Sequence, residues 1–286
     1  MNHDVKITEC PRDAMQGIKN FIPTELKAKY INTLLKVNFD VLDFGSFVSP
    51  KVIPQMKDTA DVLNLLDLSN SNTKLLSIVA NNSGATKACA FDEISILGFP
   101  FSISETFQLR NTNSTIEESL KRVEFIQNLC EKKNKTLLVY ISMGFGNPYN
   151  DPWNTEIVWK WTKELSQLGI KILSFADTIG VSNPEKIKYV FENIVPEFPD
   201  VEFGAHLHTA PHNWQEKIEA AYDSGCRRFD GALKGYGGCP MAEDKLVGNM
   251  PTENMIDYFT EKNISLSINK EHLKTAFRVL PEVFTH

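Results

Sequence analysis

The chain has 286 residues, of which 42% are hydrophobic and 23% charged. It is long enough to bury a large core, and no apolar run approaches the ~20 residues needed to cross a bilayer. A formal net charge of -6 with scattered basic residues offers no concentrated face for nucleic acid. The five cysteines, Cys10, Cys89, Cys130, Cys226 and Cys239, are widely spaced with no CxxC, which points to reduced thiols and a cytoplasmic protein rather than a disulfide framework. The opening residues Met1 to Ile7 show neither a signal-peptide apolar region nor an Arg-rich transit pattern.

Short β-rich runs alternate with longer amphipathic stretches along the chain, the pattern of βα units that build a parallel sheet. Strands are expected over residues 5–9, 41–47, 75–80, 93–98, 137–143, 172–176, 201–208 and 228–233. Helices are expected over 24–36, through residue 63, and over 84–90, with further starts near Thr115, Asn154, Asn183 and Asn213. Thr115 precedes Glu117 and Glu118, and Asn183 precedes Pro184, both of which read as helix starts. Helices over 252–260 and 270–279 complete the chain. Without a Pro/Gly/Ser-rich linker, residues 1–286 read as one α/β domain, a (β/α)8 TIM barrel with a C-terminal helical extension from about residue 264. The usual barrel size of ~250 residues agrees.

In such a barrel, chemistry sits at the C-terminal ends of the strands. The polar residues that fall there are Arg12 and Asp13, Asp43 and Ser46, Asp177 and Thr178, His206 and His208, then Cys239 and Asn249. His206 and His208, two apart on an extended segment, point the same way and can meet one divalent ion. Such a pair can equally be two hydrogen-bonded imidazoles, so other ligands must converge on it. Asp13 adds a carboxylate oxygen and Asn249 a carbonyl oxygen, a set that suits Mg2+ or Mn2+ at least as well as Zn2+. Asp13 alone could simply cap a turn, and Arg12 could simply pair with Asp43 or Asp177. Cys239 lies among glycines and a proline in a loop over this mouth, where a thiol can transfer protons if nearby charge tunes it; an inert loop cysteine is the alternative.

These residues carry a family resemblance. Pro11-Arg12-Asp13 with Gln16, Ile22-Pro-Thr-Glu25, Ser46-Phe-Val-Ser-Pro-Lys51, Pro54-Gln-Met56, Ser114-Thr-Ile-Glu-Glu-Ser119, Asp177-Thr-Ile-Gly180, His206-Leu-His208, Gly237-Gly-Cys-Pro240 and Gly248-Asn249 follow one another as in the 3-hydroxy-3-methylglutaryl-CoA lyases, which the chain resembles over nearly its whole length. The Ser-Phe-Val-Ser-Pro-Lys and Gly-Gly-Cys-Pro segments are specific to that branch; Arg-Asp and His-x-His are shared with related Claisen synthases and aldolases. The resemblance implies cleavage of an acyl-CoA to acetyl-CoA and acetoacetate by a metal-assisted retro-Claisen step. It implies metal ligation by Asp13, His206, His208 and Asn249, charge stabilisation by Arg12, and acid/base work by Cys239 with His206 and Asp177. It also implies a homodimer.

Several positions depart from the family pattern. The segment Glu9-Cys-Pro-Arg-Asp is one residue shorter ahead of Arg12, Thr209-Ala-Pro211 replaces Asp-Thr after the second histidine, and the loop from Cys239 to Asn249 is one residue longer. Asp43 stands where the lyases carry Glu, so its hydrogen bond across the site is expected to span an extra methylene's distance. Coenzyme A would bind as part of the substrate without a phosphate loop, with Lys19, Lys51 and Ser46 as the candidates to meet it. A sister barrel acting on 2-oxo acids, or a barrel that binds without catalysis, are the competing readings.

Overall fold

The computed structural model describes residues 5–238 and 247–284. Eight parallel strands, β1 (Lys6–Glu9), β2 (Val41–Ser46), β3 (Lys74–Ile78), β4 (Ile94–Ser102), β5 (Thr136–Ser142), β6 (Ile172–Asp177), β7 (Glu202–Thr209) and β8 (Arg228–Gly231), pair in chain order, and β8 returns to β1 to close the ring. This is the expected (β/α)8 TIM barrel. The strands are buried on both faces, which is why runs such as Leu137-Leu-Val-Tyr-Ile141 are continuously apolar rather than alternating. A short ninth strand, β9 (Gly248–Asn249), pairs antiparallel with β7 and sets Asn249 opposite His208.

The helices are α1 (Pro11–Gln16), α2 (Thr24–Leu35), α3 (Thr59–Asn64), α4 (Asn82–Ala88), α5 (Glu105–Thr112), α6 (Ile116–Lys132), α7 (Thr155–Gln167), α8 (Pro184–Ile194), α9 (Trp214–Asp223), α10 (Thr252–Glu261) and α11 (Lys270–Phe284). Three starts carry the side-chain caps that the sequence shows. Thr115 and Glu118 form a reciprocal capping box, Asn154 accepts from the Ile157 amide, and Asn183 accepts from the Lys186 amide behind a Pro at the first helical position. Asn213 precedes α9 but spends its carboxamide on the Ala210 amide instead of capping the helix.

Three helices and part of a strand depart from expectation. β4 continues through Gly98 and Pro100 to Ser102; both residues are strand breakers in most contexts, yet Pro100 keeps register with Tyr140 and extends the barrel wall toward the site. α1 and α5 are six and eight residues long, too short for an apolar periodicity to register. The terminal helix starts where expected but runs on to Phe284, with Pro281 inside it. It packs on α2 through a Lys29–Glu282 ion pair at 2.7 Å and an edge-on contact between Tyr30 and Phe284.

The main core lies between the outer face of the barrel and the helices. Inside the barrel, Val41, Leu76, Ile78, Ile96, Leu138 and Tyr140 form a second apolar cluster. The opposite interior wall is polar: Thr8, Ser174, Arg228 and Asp230 are all buried there. Gly204 leaves room for that lining, because a Cβ would stand 3.1 Å from Ser174 Oγ and 3.2 Å from Arg228 Cδ. Among the described residues no helix is long and apolar enough to cross a membrane.

Glu9 ties the barrel seam together. Fully buried at the end of β1, it accepts from the Leu233 amide at 2.9 Å and from Thr252 Oγ1 at 2.5 Å. Burial raises its pKa to about 8, although both hydrogen bonds act the other way. The native state therefore binds more protons than the unfolded chain between pH 4.5 and 8, and stability falls as pH rises through that window. Glu9→Gln, which keeps an acceptor for Leu233 and a donor for Thr252, should flatten this slope and raise stability near pH 8 by up to about 4 kcal/mol. Denaturant midpoints of the two proteins at pH 5.5 and 8 measure it; parallel pH dependences would refute it.

Candidate metal centre and active site

Residues from both halves of the chain meet at the C-terminal rim of the barrel. Cys10 ends β1, and Pro11 starts α1 at once, so Arg12 and Asp13 turn directly over the barrel mouth. Ligand atoms of Asp13, His206 and His208 all lie within 4.8 Å of one another. Asn249 Nδ2 donates to Asp13 Oδ2 at 2.7 Å and to the Tyr236 carbonyl at 2.9 Å, which leaves its carbonyl oxygen as a further donor atom for a cation. The loop beside it is closely fitted: a Cβ on Gly237, whose φ is +88°, would stand 2.8 Å from Ala14 Cα, Asp13 O and Asn249 Nδ2.

The imidazoles are set as metal ligands require. His208 Nδ1 faces the Thr178 carbonyl at 3.1 Å, an acceptor, so the ring proton belongs on Nδ1 and the lone pair on Nε2. That Nε2 is buried and has no hydrogen-bond partner. A buried acceptor left unpaired costs ~1–3 kcal/mol, and a divalent ion among these donors would supply the partner it lacks. Burial and the neighbouring His206 lower His208 to about 4, so it is neutral and able to ligate at neutral pH. Burial pushes Asp13 up, but the charges of Arg12, His206 and His208 and the Asn249 hydrogen bond outweigh it and hold the carboxyl below its ordinary value. The residues fit a divalent cation bound by hard oxygen and imidazole nitrogen without a thiolate.

Arg12 is held by its neighbours on three sides. Nε and Nη2 fork onto Asp43 at 3.0 and 2.6 Å, and Nη1 donates to Asp13 at 3.0 Å and to Gln16 at 2.8 Å. Asp43 thus reaches Arg12 directly, with no added gap; the bulge in β2 between Asp43 and Gly45 lies at this point of the strand. Burial alone would weaken the guanidinium charge, but Asp43 and Asp13 more than restore it. Four of the five guanidinium N–H groups are engaged, which leaves one on Nη2 for a substrate oxygen.

These groups floor a cavity of about 180 Å³, walled by apolar Ile78, Pro100 and Phe107 and by polar Ser142 and Thr178. Four expected contributors lie elsewhere. Asp177 turns out of the barrel, because Ala176 faces in at the level of His206 and side chains alternate. Its carboxylate binds Lys217 at 3.0 Å and Ser182 at 2.5 Å, and Lys217 in turn donates to the His208 carbonyl at 2.8 Å. Its place is behind the site, bracing β7. Ser46 is buried and its hydroxyl accepts from the Val48 amide, outside the cavity lining. Lys19 and Lys51 are exposed and also outside it. Cys239 lies outside the described residues.

Other contributors were given no role by the sequence, although Gln16 falls within the Pro11-Arg12-Asp13 motif. Gln16 bridges Arg12 and Asp13, donating to Asp13 Oδ1 at 2.6 Å. Tyr140 meets the His206 ring edge-on at 5.6 Å between centroids. Asp230 Oδ2 lies 3.2 Å from His206 Nδ1. Only Asp230 could have been found: it sits two residues after Arg228 on β8, at the register of His206.

The model of the HMGL-like family matches residues 5–280. The hydroxymethylglutaryl-CoA lyase YngG of Bacillus subtilis is 31% identical over 95% of this chain and 90% of its own. The mitochondrial hydroxymethylglutaryl-CoA lyase of Bos taurus is 32% identical over 95% of this chain and 83% of its own. Among solved structures, the HMG-CoA lyase of Acinetobacter baumannii in complex with coenzyme A and 3-methylmalate superposes with a TM-score of 0.89 at 29% identity, covering 99% of this chain and 92% of that one. The barrel and its rim thus define a carbon–carbon lyase on a TIM-barrel scaffold. More particularly, the chain belongs to the HMGL-like family.

The Gly237 contact yields a test of the rim. Gly237→Ala should displace Asp13 or Asn249 and weaken Mn2+ binding at least about 10-fold, while the melting temperature moves by only a few degrees. Calorimetric titration with Mn2+ checks it; unchanged affinity would show that the close fit is irrelevant to the centre.

Proposed function

We propose that the protein cleaves 3-hydroxy-3-methylglutaryl-CoA, or a close analogue, to acetyl-CoA and acetoacetate by a metal-assisted retro-Claisen reaction. One observation carries this reading: the unpaired, buried Nε2 of His208 converges with Asp13 and His206 beside a charged Arg12 at the floor of a mostly apolar cavity. Coenzyme A as the carrier is supported by its presence in the complex of the Acinetobacter relative.

Asp13, His206, His208 and Asn249 would hold the cation, Mg2+ or Mn2+ by the hardness of the set, with Zn2+ also compatible. When bound, it lowers the pKa of the substrate's tertiary hydroxyl and neutralises its carboxylate. The chain's own groups do the rest. Arg12, kept cationic by Asp43 and Asp13, presents its remaining N–H to the thioester oxygen, where negative charge grows as the carbon–carbon bond breaks. Because Asp43 and Gln16 already orient the guanidinium, little reorganisation is needed at that moment. Ile78, Pro100 and Phe107 seat the carbon skeleton and exclude water from the enolate. Cys239 is assigned the acid/base work, its thiolate taking the hydroxyl proton and its thiol returning that proton to the enolate carbon, while His206, its Nδ1 beside Asp230, would help hold the cation at the hydroxyl end. Asp177 acts at a distance, by fixing Lys217 against the His208 carbonyl.

Purified protein with 3-hydroxy-3-methylglutaryl-CoA and Mg2+ or Mn2+ should release acetoacetate, and EDTA should abolish the release. Arg12→Met should lower kcat about 100-fold or more with a smaller change in metal affinity. Absence of metal-dependent turnover on any acyl-CoA would overturn the assignment. Full activity of Cys239→Ala would move it to a sister reaction on the same scaffold.

A further inference from the structure

His206 belongs to two clusters. One contains Asp13 and His208; the other contains Cys10 and Asp230, and within each the ligand atoms fall within 4.8 Å of one another. The ring is common to both, and the atom that faces Asp230 is Nδ1, 3.2 Å from Asp230 Oδ2. We infer that Asp230 is a positioning residue: its carboxylate accepts the Nδ1–H of His206 and so fixes the ring in the tautomer and orientation that present Nε2 to Asp13 and His208. This rests on the reading above, in which His206 is a ligand.

Several independent features support the assignment. Asp230 is anchored on a strand, opposite His206 in the β7–β8 register, so the contact is set by the barrel itself and not by a loop. Its side chain is wholly buried, which removes water as a competitor for the imidazole proton. Tyr140 holds the ring from the side at 77°, and the His208 ring meets it at 64°. A histidine that ligates through one nitrogen needs a partner on the other to select its tautomer. His208 has the Thr178 carbonyl for this purpose, and Asp230 is the corresponding group for His206.

The second cluster could instead hold a thiophilic cation between Cys10, His206 and Asp230. The surroundings argue for a proton. Burial, reinforced by the carboxylates of Asp230, Asp43 and Asp13, keeps Cys10 well above its ordinary pKa, so it stays a thiol and points to the Thr8 carbonyl at 3.9 Å. A cation there would need the thiolate.

In metal-free wild-type protein with 15N-labelled histidine, at a pH where the ring is neutral, His206 should carry its proton on Nδ1. Protonation on Nε2 alone overturns the inference, whether or not any variant folds. Asp230→Asn can offer its amide N–H to Nδ1, and should shift the ring toward the Nε2–H tautomer and weaken Mn2+ binding about 10- to 100-fold at a nearly unchanged melting temperature; Asp230→Glu should recover part of the affinity. Unchanged tautomer and Mn2+ affinity in Asp230→Asn overturns it. So does Cd2+ uptake with a thiolate-to-metal absorption band that Cys10→Ser removes. Failure of wild-type protein to bind Mn2+ would count against the proposed function, and the tautomer measurement would still decide the role of Asp230.

Discussion

One hydrogen bond, from the Asn249 side chain to Asp13, joins positions 236 residues apart and ties the two ends of the chain together at the rim of the barrel. Asp13 is placed by the turn from β1 into α1, His206 and His208 by β7, and Asn249 by the short antiparallel strand that lies along β7. None of these segments can form the centre alone. The barrel supplies the distances by closing β8 onto β1, and the Glu9 contacts to Leu233 and Thr252 lock that seam on the outside.

Charge is arranged around the same bond. Arg12 lies between two carboxylates, Asp43 and Asp13, and each helps keep the other groups charged against the cost of burial. A buried ion cluster of this kind adds little to net stability compared with an apolar replacement. Its benefit is orientation: a guanidinium fixed on three sides has one direction left in which to act. The polar interior wall formed by Thr8, Ser174, Arg228 and Asp230 continues the pattern below the rim, where an ordinary barrel interior would be filled with aliphatic side chains.

Much of this was legible in the residues. The His-x-His spacing implies a shared face because strand side chains alternate, and strand-end logic brought Arg12, Asp13, Asp43 and Asn249 to the same mouth. The same alternation, applied one residue further, would have turned Asp177 outward: Ala176 shares a level with His206, so its successor must face the helices. Ser46 was harder, because the irregularity in β2 between Asp43 and Gly45 breaks the simple count. Gln16 stood in the Pro11-Arg12-Asp13 motif, but helix α1 and the bridge it makes there were hidden by brevity, since six residues carry no period. β4 was cut short at Gly98 because Gly and Pro are read as breakers, and only the neighbouring strand's register shows that they continue the sheet. Asp230 carried a signal, parity with Arg228 on the last strand, that becomes readable only once strand pairing is known.

The position of Asn249 in the chain has a further consequence for biosynthesis. During translation, all eight barrel strands and both histidines emerge before the carboxamide proposed to complete the metal site, and the terminal helix that braces α2 follows later still. A nascent polypeptide stalled before that point carries two imidazoles and a carboxylate without the clasp that orders them. In the proposed centre, an ion would therefore gain its full set of ligands only after nearly the whole barrel has been synthesised.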